Sequence, residues 1–170
     1  MKSYIFRDCT SLTKVTGLDN VTSISVQAFK NCSNLADIDI DPSKLTSIYT
    51  EAFRSCTSLT SLDLSNVTSI GSSAFYTSGL SGVINLPKIV TLESSAFSTT
   101  NITECTIGST ITSMGGSVFM SCHNLTNVSF PSTITTLKGR TFYECDSLQS
   151  FDFSNITTIE SQCFQQCTSL

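Results

Sequence analysis

The chain has 170 residues, a formal net charge of −4 and a charged fraction of 13%, about half the share usual for a soluble domain. A hydrophobic content of 39% is enough to bury a core and argues against a disordered Ser/Thr-rich tract. The basic residues form no cluster, which argues against a nucleic-acid or anionic-membrane surface, and no apolar run is long enough for direct membrane insertion.

A phenylalanine recurs every 22 to 24 residues, and each recurrence brings the same neighbours. The copy at 53–70 reads FRSCTSLTSLDLSNVTSI: a cysteine follows the phenylalanine by three residues, and L-x-x-L-x-L comes next. Copies in register along a whole chain predict a repeat architecture. We expect the repeats to start at Phe6, Phe29, Phe53, Phe75, Phe97, Phe119, Phe142 and Phe164.

Each repeat contains two segments that are typical of short strands. The L-x-L part alternates with period two, as a strand with one buried face does. The T-S-I part that follows has apolar residues three and four positions apart, which fits a short second strand beside turns or 3₁₀ segments. One repeat cannot bury its own apolar face, but stacked repeats can. The sequence therefore predicts one solenoid domain over 1–170, with about seven stacked rungs, a parallel sheet and a curved, right-handed superhelix.

The fourth and fifth repeats depart from the pattern. Ser78 and Thr100 stand at the cysteine position, and the next apolar residue comes one position early. Gly79 and Gly82 flank that residue in the fourth repeat. We expect a tighter turn in both repeats, with the two glycines supplying backbone freedom.

These motifs resemble the BspA-like (treponemal-type) leucine-rich repeat family. The resemblance is carried by AFKNCSNLADIDI at 28–40, AFRSCTSLTSLDL at 52–64, TFYECDSLQSFDF at 141–153 and VTSIGSSAF at 67–75. It implies a leucine-rich-repeat solenoid in a surface or secreted protein that adheres to cells, host proteins or matrix. The repeats of that family carry no catalytic residues, so the resemblance implies no enzyme activity and no cofactor.

The two ends of the chain lie inside a repeat. Met1 aligns with Ile24 of the next repeat, and Leu170 aligns with Leu12 of the first. The first nine residues lack the apolar segment of a signal peptide. Because solenoids usually need polar caps, we expect this chain to be a fragment of a longer protein, or its ends to be covered by other subunits.

The exposed face of the L-x-L strands is the predicted binding surface. Asp39 and Asp63 are expected about 4.8 Å apart there, either bridged by a cation or basic partner or simply solvated. The face lacks tryptophan, which favours weak, multivalent contact. The candidate binding residues form one row, Thr16, Asp39, Asp63, Asn85, Thr106, Ser129 and Asp152, and a second row, Ser61, Glu104, Asn127 and Ser150.

The cysteines are better explained by the repeat than by chemistry. Six of the eight occupy one repeat position, so we expect a buried, reduced column rather than disulfides, although adjacent rungs would be close enough to bridge. Cys163 and Cys167 have a zinc-like spacing but no second ligand pair, so we predict no metal. His123, the only histidine, follows Cys122 directly and is expected to be an exposed turn residue rather than a catalytic base.

Asparagines lie in N-x-S/T sequons throughout the chain. Glycosylation at them requires a secreted context, and repeat descent inflates their number. The possible acceptors are Asn20, Asn31, Asn66, Asn101, Asn124, Asn127 and Asn155.

Taken together, the sequence predicts a non-enzymatic adhesion or protein-binding module at the cell surface or outside the cell. The expected partners are extracellular, host or matrix proteins, or other copies of the chain. The alternative is a structural spacer or a component of a self-assembling surface fibre.

Overall fold

The computed structural model describes residues 1–170 and contains strands and turns but no helix. We number rungs 1 to 8 from the eight repeat phenylalanines; rung 8 is partial. The strands are β1 (Lys14–Val15), β2 (Ser23–Ile24), β3 (Asp37–Ile38), β4 (Ser47–Ile48), β5 (Ser69–Ile70), β6 (Ser81–Leu86), β7 (Thr91–Leu92), β8 (Asn101–Ile107), β9 (Asn127–Ser129), β10 (Thr136–Leu137) and β11 (Thr158–Ile159).

All strand pairs are parallel, as a solenoid requires, and they form two rows on the molecule. The first row, from the L-x-L segments, pairs β1 with β3 and separately orders β6, β8 and β9. The second row, from the T-S-I segments, orders β2, β4, β5 and β7 and separately pairs β10 with β11. The second row is the more continuous one, since a bridge from Leu92 to Met114 carries it beyond β7. The leucine-rich-repeat solenoid predicted from the sequence is confirmed.

The third side of each rung is a turn around the repeat phenylalanine. The residues two positions before and two positions after each phenylalanine have positive φ, as Glu51 (φ 54°) and Ser55 (φ 59°) do around Phe53. A left-handed residue interrupts helical geometry, so the predicted 3₁₀ or turn segments are turns here. The N–H groups of Glu51, Phe53 and Ser55 each donate to a carbonyl of the next rung, at 2.8 to 2.9 Å.

The rings of the repeat phenylalanines form a column through the core. Neighbouring rings lie 5.2 to 6.1 Å apart between centroids, and their planes differ by at most 15°. Six of these phenylalanines, from Phe29 to Phe142, are fully buried within a cluster of 41 apolar residues. Each rung thus buries its own apolar side only against its neighbours, which makes stacking the source of stability.

The fourth and fifth rungs differ from expectation. They carry the two longest strands, β6 with six residues and β8 with seven, where the early apolar residues predicted a tighter turn. Gly82, with φ +73°, lies at the register shift between these strands, so its predicted backbone freedom is used. Gly79 serves a different purpose: a Cβ there would lie 2.2 Å from the Thr57 carbonyl oxygen, so glycine permits close approach.

Candidate functional site

The predicted binding residues all lie on the solvent side of the first strand row. All eleven side chains are exposed. Five of them sit on hydrogen-bonded strands: Asn85 on β6, Glu104 and Thr106 on β8, and Asn127 and Ser129 on β9. The register places Glu104 beside Asn127 and Thr106 beside Asn85 and Ser129, so these five form one continuous polar patch.

The other six do not join this patch, because the first row of strands is interrupted. Thr16 and Asp39 directly follow β1 and β3. Ser61, Asp63, Ser150 and Asp152 lie in L-x-L segments of rungs 3 and 7, which have extended sequence patterns but form no strand ladder. Asp39 and Asp63 are therefore on adjacent rungs without the ladder that their predicted spacing assumed.

An open cleft lies at each of two interruptions. The first cleft, between rungs 2 and 3, has a volume of about 200 Å³ and is lined by Ala36, Asp37, Ile38, Ile40, Pro42, Ser61, Leu62 and Asp63. The second cleft, between rungs 6 and 7, has a volume of about 260 Å³ and is lined by Asn127, Val128, Ser129, Phe130, Pro131, Ile134, Ser150, Phe151, Asp152, Asn155 and Ile156. Leu62 and Phe151, which the alternating pattern predicted to point into the core, are only half-buried and line these clefts.

In each cleft, one of the lining carboxylates accepts a hydrogen bond from the backbone of the turn that follows it. Asp63 Oδ1 accepts a hydrogen bond from the Ser65 N–H at 2.8 Å, and Asp152 Oδ1 accepts one from the Ser154 N–H at 2.9 Å. The Ser65 N–H lowers the pKa of Asp63, and the hydroxyl and N–H of Ser154 lower the pKa of Asp152. Both side chains are consequently ionised at neutral pH, and the Oδ2 atom of each accepts no hydrogen bond within the protein.

Negative charge predominates on the strand segments of this face. Lys14 pairs with Asp37 across rungs 1 and 2 at 2.6 Å. The other acids of the segments form no ion pair within 4.0 Å: Asp39, Asp63, Glu104 and Asp152. The arrangement can attract a cationic group.

The cysteine column is buried in rungs 2, 3, 6 and 7, as predicted, but Cys9 at one end is exposed and Cys167 at the other is only half-buried. The column also has a hydrogen-bonding role that sequence reasoning missed. The thiols of Cys32, Cys56, Cys122, Cys145 and Cys167 each donate to the carbonyl of the phenylalanine one rung earlier, at 2.9 to 3.1 Å. All eight cysteines are free. Burial raises the pKa of Cys32 and Cys122 to about 11 and that of Cys56 to about 12, so these groups are thiols rather than thiolates at neutral pH.

His123 is exposed, as predicted, and turns away from the neighbouring thiol. Its Nδ1 lies 2.8 Å from Asp146 Oδ2 on the next rung. The Cys122 thiol donates to the Phe97 carbonyl instead of facing the imidazole. The two side chains therefore do not form a nucleophile–base pair.

A half-buried ionic cluster around Glu51 was not predicted. Its carboxylate accepts from Gln27 Nε2 and Lys30 Nζ, each at 2.7 Å, and from Arg54. Burial raises the pKa of Glu51, but the hydrogen bonds from Lys30 and Arg54 outweigh that effect and lower it overall. Arg54 lies only three residues from Glu51. Gln27 and Lys30 precede Glu51 by 24 and 21 residues and reach it only through stacking, so no local pattern indicated their contact. Their mutual satisfaction indicates a structural role.

The sequon asparagines are not equivalent on the surface. The side chains of Asn31 and Asn66 are half-buried and bonded, the former donating to Asp8 at 2.7 Å and the latter accepting from Lys88. The remaining sequon asparagines are exposed: Asn20, Asn101, Asn124, Asn127 and Asn155. Asn127 and Asn155 line the second cleft, so a glycan on either would obstruct it.

No three His, Cys, Asp or Glu side chains come together in an arrangement suited to a metal ion. The molecule also contains no helix with the length and apolar character needed to cross a bilayer.

Parallel strands, stacked turns and a column of leucine, cysteine and phenylalanine define a leucine-rich-repeat solenoid. The sequence model of the BspA type leucine-rich repeat region matches residues 1–93 and 64–170, with six copies in all. The chain belongs to this family, which confirms the resemblance seen in its motifs. No curated protein matches the chain.

Solved structures of bacterial leucine-rich repeat proteins share the fold. One from Bacteroides ovatus is 28% identical with a TM-score of 0.69, over 100% of this chain and 39% of that one. One from Eubacterium ventriosum is 26% identical with a TM-score of 0.68, over 89% of this chain and 43% of that one. The Treponema pallidum leucine-rich repeat protein, 22% identical with a TM-score of 0.59 over 99% of this chain and 69% of that one, supports the fold alone. The chain thus spans about two fifths of the first two proteins.

Proposed function

We propose that this chain is a non-enzymatic protein-binding module of a cell-surface or secreted adhesion protein. The observation that carries the proposal is the first strand row: eleven small polar or acidic side chains are exposed on one face of the solenoid. Membership of the BspA-type repeat family supports a role in protein interaction. Extracellular, host or matrix proteins are the proposed partners, and the exposed sequon asparagines are proposed glycosylation sites if the host glycosylates the protein.

The shape of the face supports binding over catalysis. Its clefts are shallow openings between rungs, and the buried cysteines of the column are protonated at neutral pH. A polar face that lacks tryptophan favours contacts that are individually weak and are strengthened by repetition along the solenoid.

The proposal is tested with the 170-residue chain and immobilised fibronectin, fibrinogen, laminin and collagen as probes, by biolayer interferometry. We expect saturable binding to at least one probe, weakened at least about tenfold, or 1.4 kcal/mol, by the double change Asp63→Lys and Asp152→Lys. The matched control is Asp19→Lys, which reverses an exposed charge at the corner after the first strand segment and should leave the affinity unchanged.

Two outcomes would contradict the proposed role of this face. Equal affinity in the control and the double variant would place binding elsewhere on the solenoid. Binding to none of the probes, together with concentration-dependent self-association by light scattering, would favour the spacer or fibre alternative. Circular dichroism of each variant establishes that any loss of binding does not come from unfolding.

A further inference from the structure

The two clefts are built from the same repeat positions. Counted from the phenylalanine of each rung, Ile38, Ile40 and Leu62 of the first cleft correspond to Val128, Phe130 and Phe151 of the second. Their polar rims correspond as well, with Ser61 and Asp63 matching Ser150 and Asp152. A proline follows the upstream strand segment in both, at Pro42 and Pro131. The molecule therefore presents one kind of cleft twice.

The strand segments of rungs 3 to 6 lie between the two clefts and set the distance between them. Between them, β6, β8 and β9 of rungs 4 to 6 are joined by continuous hydrogen bonding. The first cleft lies at the interface of rungs 2 and 3 and the second at that of rungs 6 and 7, so they are four rungs apart. At about 4.8 Å for each rung where strands pair, and 5.4 to 6.1 Å between the stacked rings of the same rungs, the separation along the solenoid axis is about 19 to 22 Å.

Each cleft has the chemistry to hold one apolar side chain and one cation. Leu62 and Phe151 are half-buried, so the part of each side chain that is exposed in its cleft is available for an apolar contact. Asp63 and Asp152 are ionised, keep Oδ2 free and have no cationic partner in the protein. A carboxylate beside a partly exposed apolar side chain is complementary to an arginine or lysine next to an aliphatic or aromatic residue.

We propose that the two clefts together bind an extended basic segment of a partner protein that carries two equivalent anchors. Each anchor is an Arg-x-Leu type unit, in which both side chains lie on one face because neighbours alternate in an extended chain. An interval of six residues spans about 20 Å, matches the separation of the clefts and keeps both units on the same face. This inference rests on the proposed function, since it names the partner chemistry of the same face.

If one peptide occupies both clefts, its affinity should depend on the number of residues between its two units. Fluorescence polarisation would compare three labelled peptides: one with two Arg-Gly-Leu units whose arginines are six residues apart, one with the arginines five residues apart, and one with a single unit. We expect the six-residue peptide to bind at least about tenfold more tightly than either of the others, because both clefts are then occupied by one molecule. The five-residue interval directs the second unit to the opposite face.

Substitutions in the protein test whether both clefts contribute. Asp63→Asn or Asp152→Asn alone should lower the affinity for the six-residue peptide to that of the single-unit peptide, and the two together should abolish binding of both peptides. Asp19→Asn is the matched control, because Asp19 is an exposed acid that lies outside both binding rows and lines neither cleft. It should leave the tenfold advantage intact.

The possible outcomes separate this inference from the function on which it rests. Equal affinity for the five- and six-residue peptides, or an equal loss with Asp19→Asn, overturns the paired clefts. If that happens while Asp63→Lys with Asp152→Lys still weakens binding to a matrix protein, the proposed function stands and the inference is wrong. If neither the peptides nor the matrix proteins bind, both are wrong. A dimer that disappears with Asp63→Asn would show that the clefts hold a second copy of the chain instead, which also overturns the inference.

Discussion

The cysteine position shows how closely a single residue type is matched to the distance between rungs. The thiol of Cys56 lies 3.0 Å from the Phe29 carbonyl oxygen of the preceding rung. Where serine replaces cysteine, at Ser78, the buried hydroxyl has no hydrogen-bond partner. Thr100 resolves the same problem within its own turn by donating to the Phe97 carbonyl at 2.7 Å. Ser78 is thus a local defect in an otherwise satisfied column.

Replacing Ser78 with cysteine should stabilise the protein. The variant Ser78→Cys supplies a longer, less polar side chain that donates to the carbonyl one rung earlier, and it removes an unpaired buried hydroxyl. We expect an increase of about 1 kcal/mol in the free energy of unfolding, measured by urea denaturation followed by circular dichroism.

The control for this change is Cys56→Ser. It should be destabilising, since it reproduces the Ser78 defect in a column position that is now satisfied. An unchanged or lower urea midpoint in Ser78→Cys would mean that the Ser78 hydroxyl has a hydrogen-bond partner in solution and that this position does not require a thiol.

The burial of the cysteine column was predictable, whereas its hydrogen bonds were not. Six cysteines at one repeat position indicate core packing without any knowledge of geometry. The donation from sulfur to a carbonyl depends on the distance between rungs, which the repeat length does not provide. The same reason explains why Glu51 and Lys30 were not expected to meet: their contact at 2.7 Å exists only after stacking.

At the scale of the element, the turns around the phenylalanines are unusual because their left-handed positions hold residues other than glycine. Sixteen non-glycine residues have positive φ, among them Thr77 (φ 56°) and Thr99 (φ 58°). A β-branched side chain is strongly disfavoured in this region. The turns persist because their N–H groups bond to the next rung, as Thr99 does to Met120 at 2.8 Å.

Relieving this backbone strain should raise stability without altering any contact of the core. Thr99 is exposed, so Thr99→Gly removes the penalty of a left-handed β-branched residue at the cost of little buried area. We expect a gain of about 0.5 to 1 kcal/mol in the free energy of unfolding by thermal denaturation. Thr106→Gly is the matched control: Thr106 is also exposed but lies on β8, where glycine should be destabilising. A loss of stability in both variants would contradict the left-handed geometry at Thr99.

The first strand row shows where local sequence patterns lose predictive power. The L-x-L alternation is at least as clear in rung 3 as in rung 4, yet rung 3 forms no ladder while β6 of rung 4 is six residues long. Strand pairing depends on the register between neighbouring rungs and on the residues between them, which differ in number from 22 to 24. The pattern therefore predicted the exposed face correctly but placed Leu62 in the core rather than beside a cleft.

At the scale of the whole molecule, the solenoid behaves as a one-dimensional array in which each rung contacts only its neighbours. Phe97 illustrates this arrangement: its ring is fully buried and lies 5.4 Å from Phe75 and 6.1 Å from Phe119. Removing it leaves a cavity at two adjacent interfaces while the remaining rungs keep their contacts. Loss of a central ring should accordingly let the two halves of the molecule unfold separately, rather than lower the stability of all rungs equally.

The variant Phe97→Ala tests this expectation. We expect a loss of about 3 to 5 kcal/mol, concentrated in rungs 4 to 6. Hydrogen exchange measured by mass spectrometry should accelerate most for peptides around Phe75 and Phe119 and least for those around Phe29, because the latter is separated from the cavity by intact interfaces. Phe153→Ala is the control, since Phe153 is 44% exposed and its ring packs against those of Phe151 and Phe164 near the end of the solenoid. Its effect should be smaller and confined to rungs 7 and 8. A uniform acceleration along the chain in Phe97→Ala would instead mean that the solenoid unfolds as one cooperative unit, and that the two clefts four rungs apart share a single folding equilibrium.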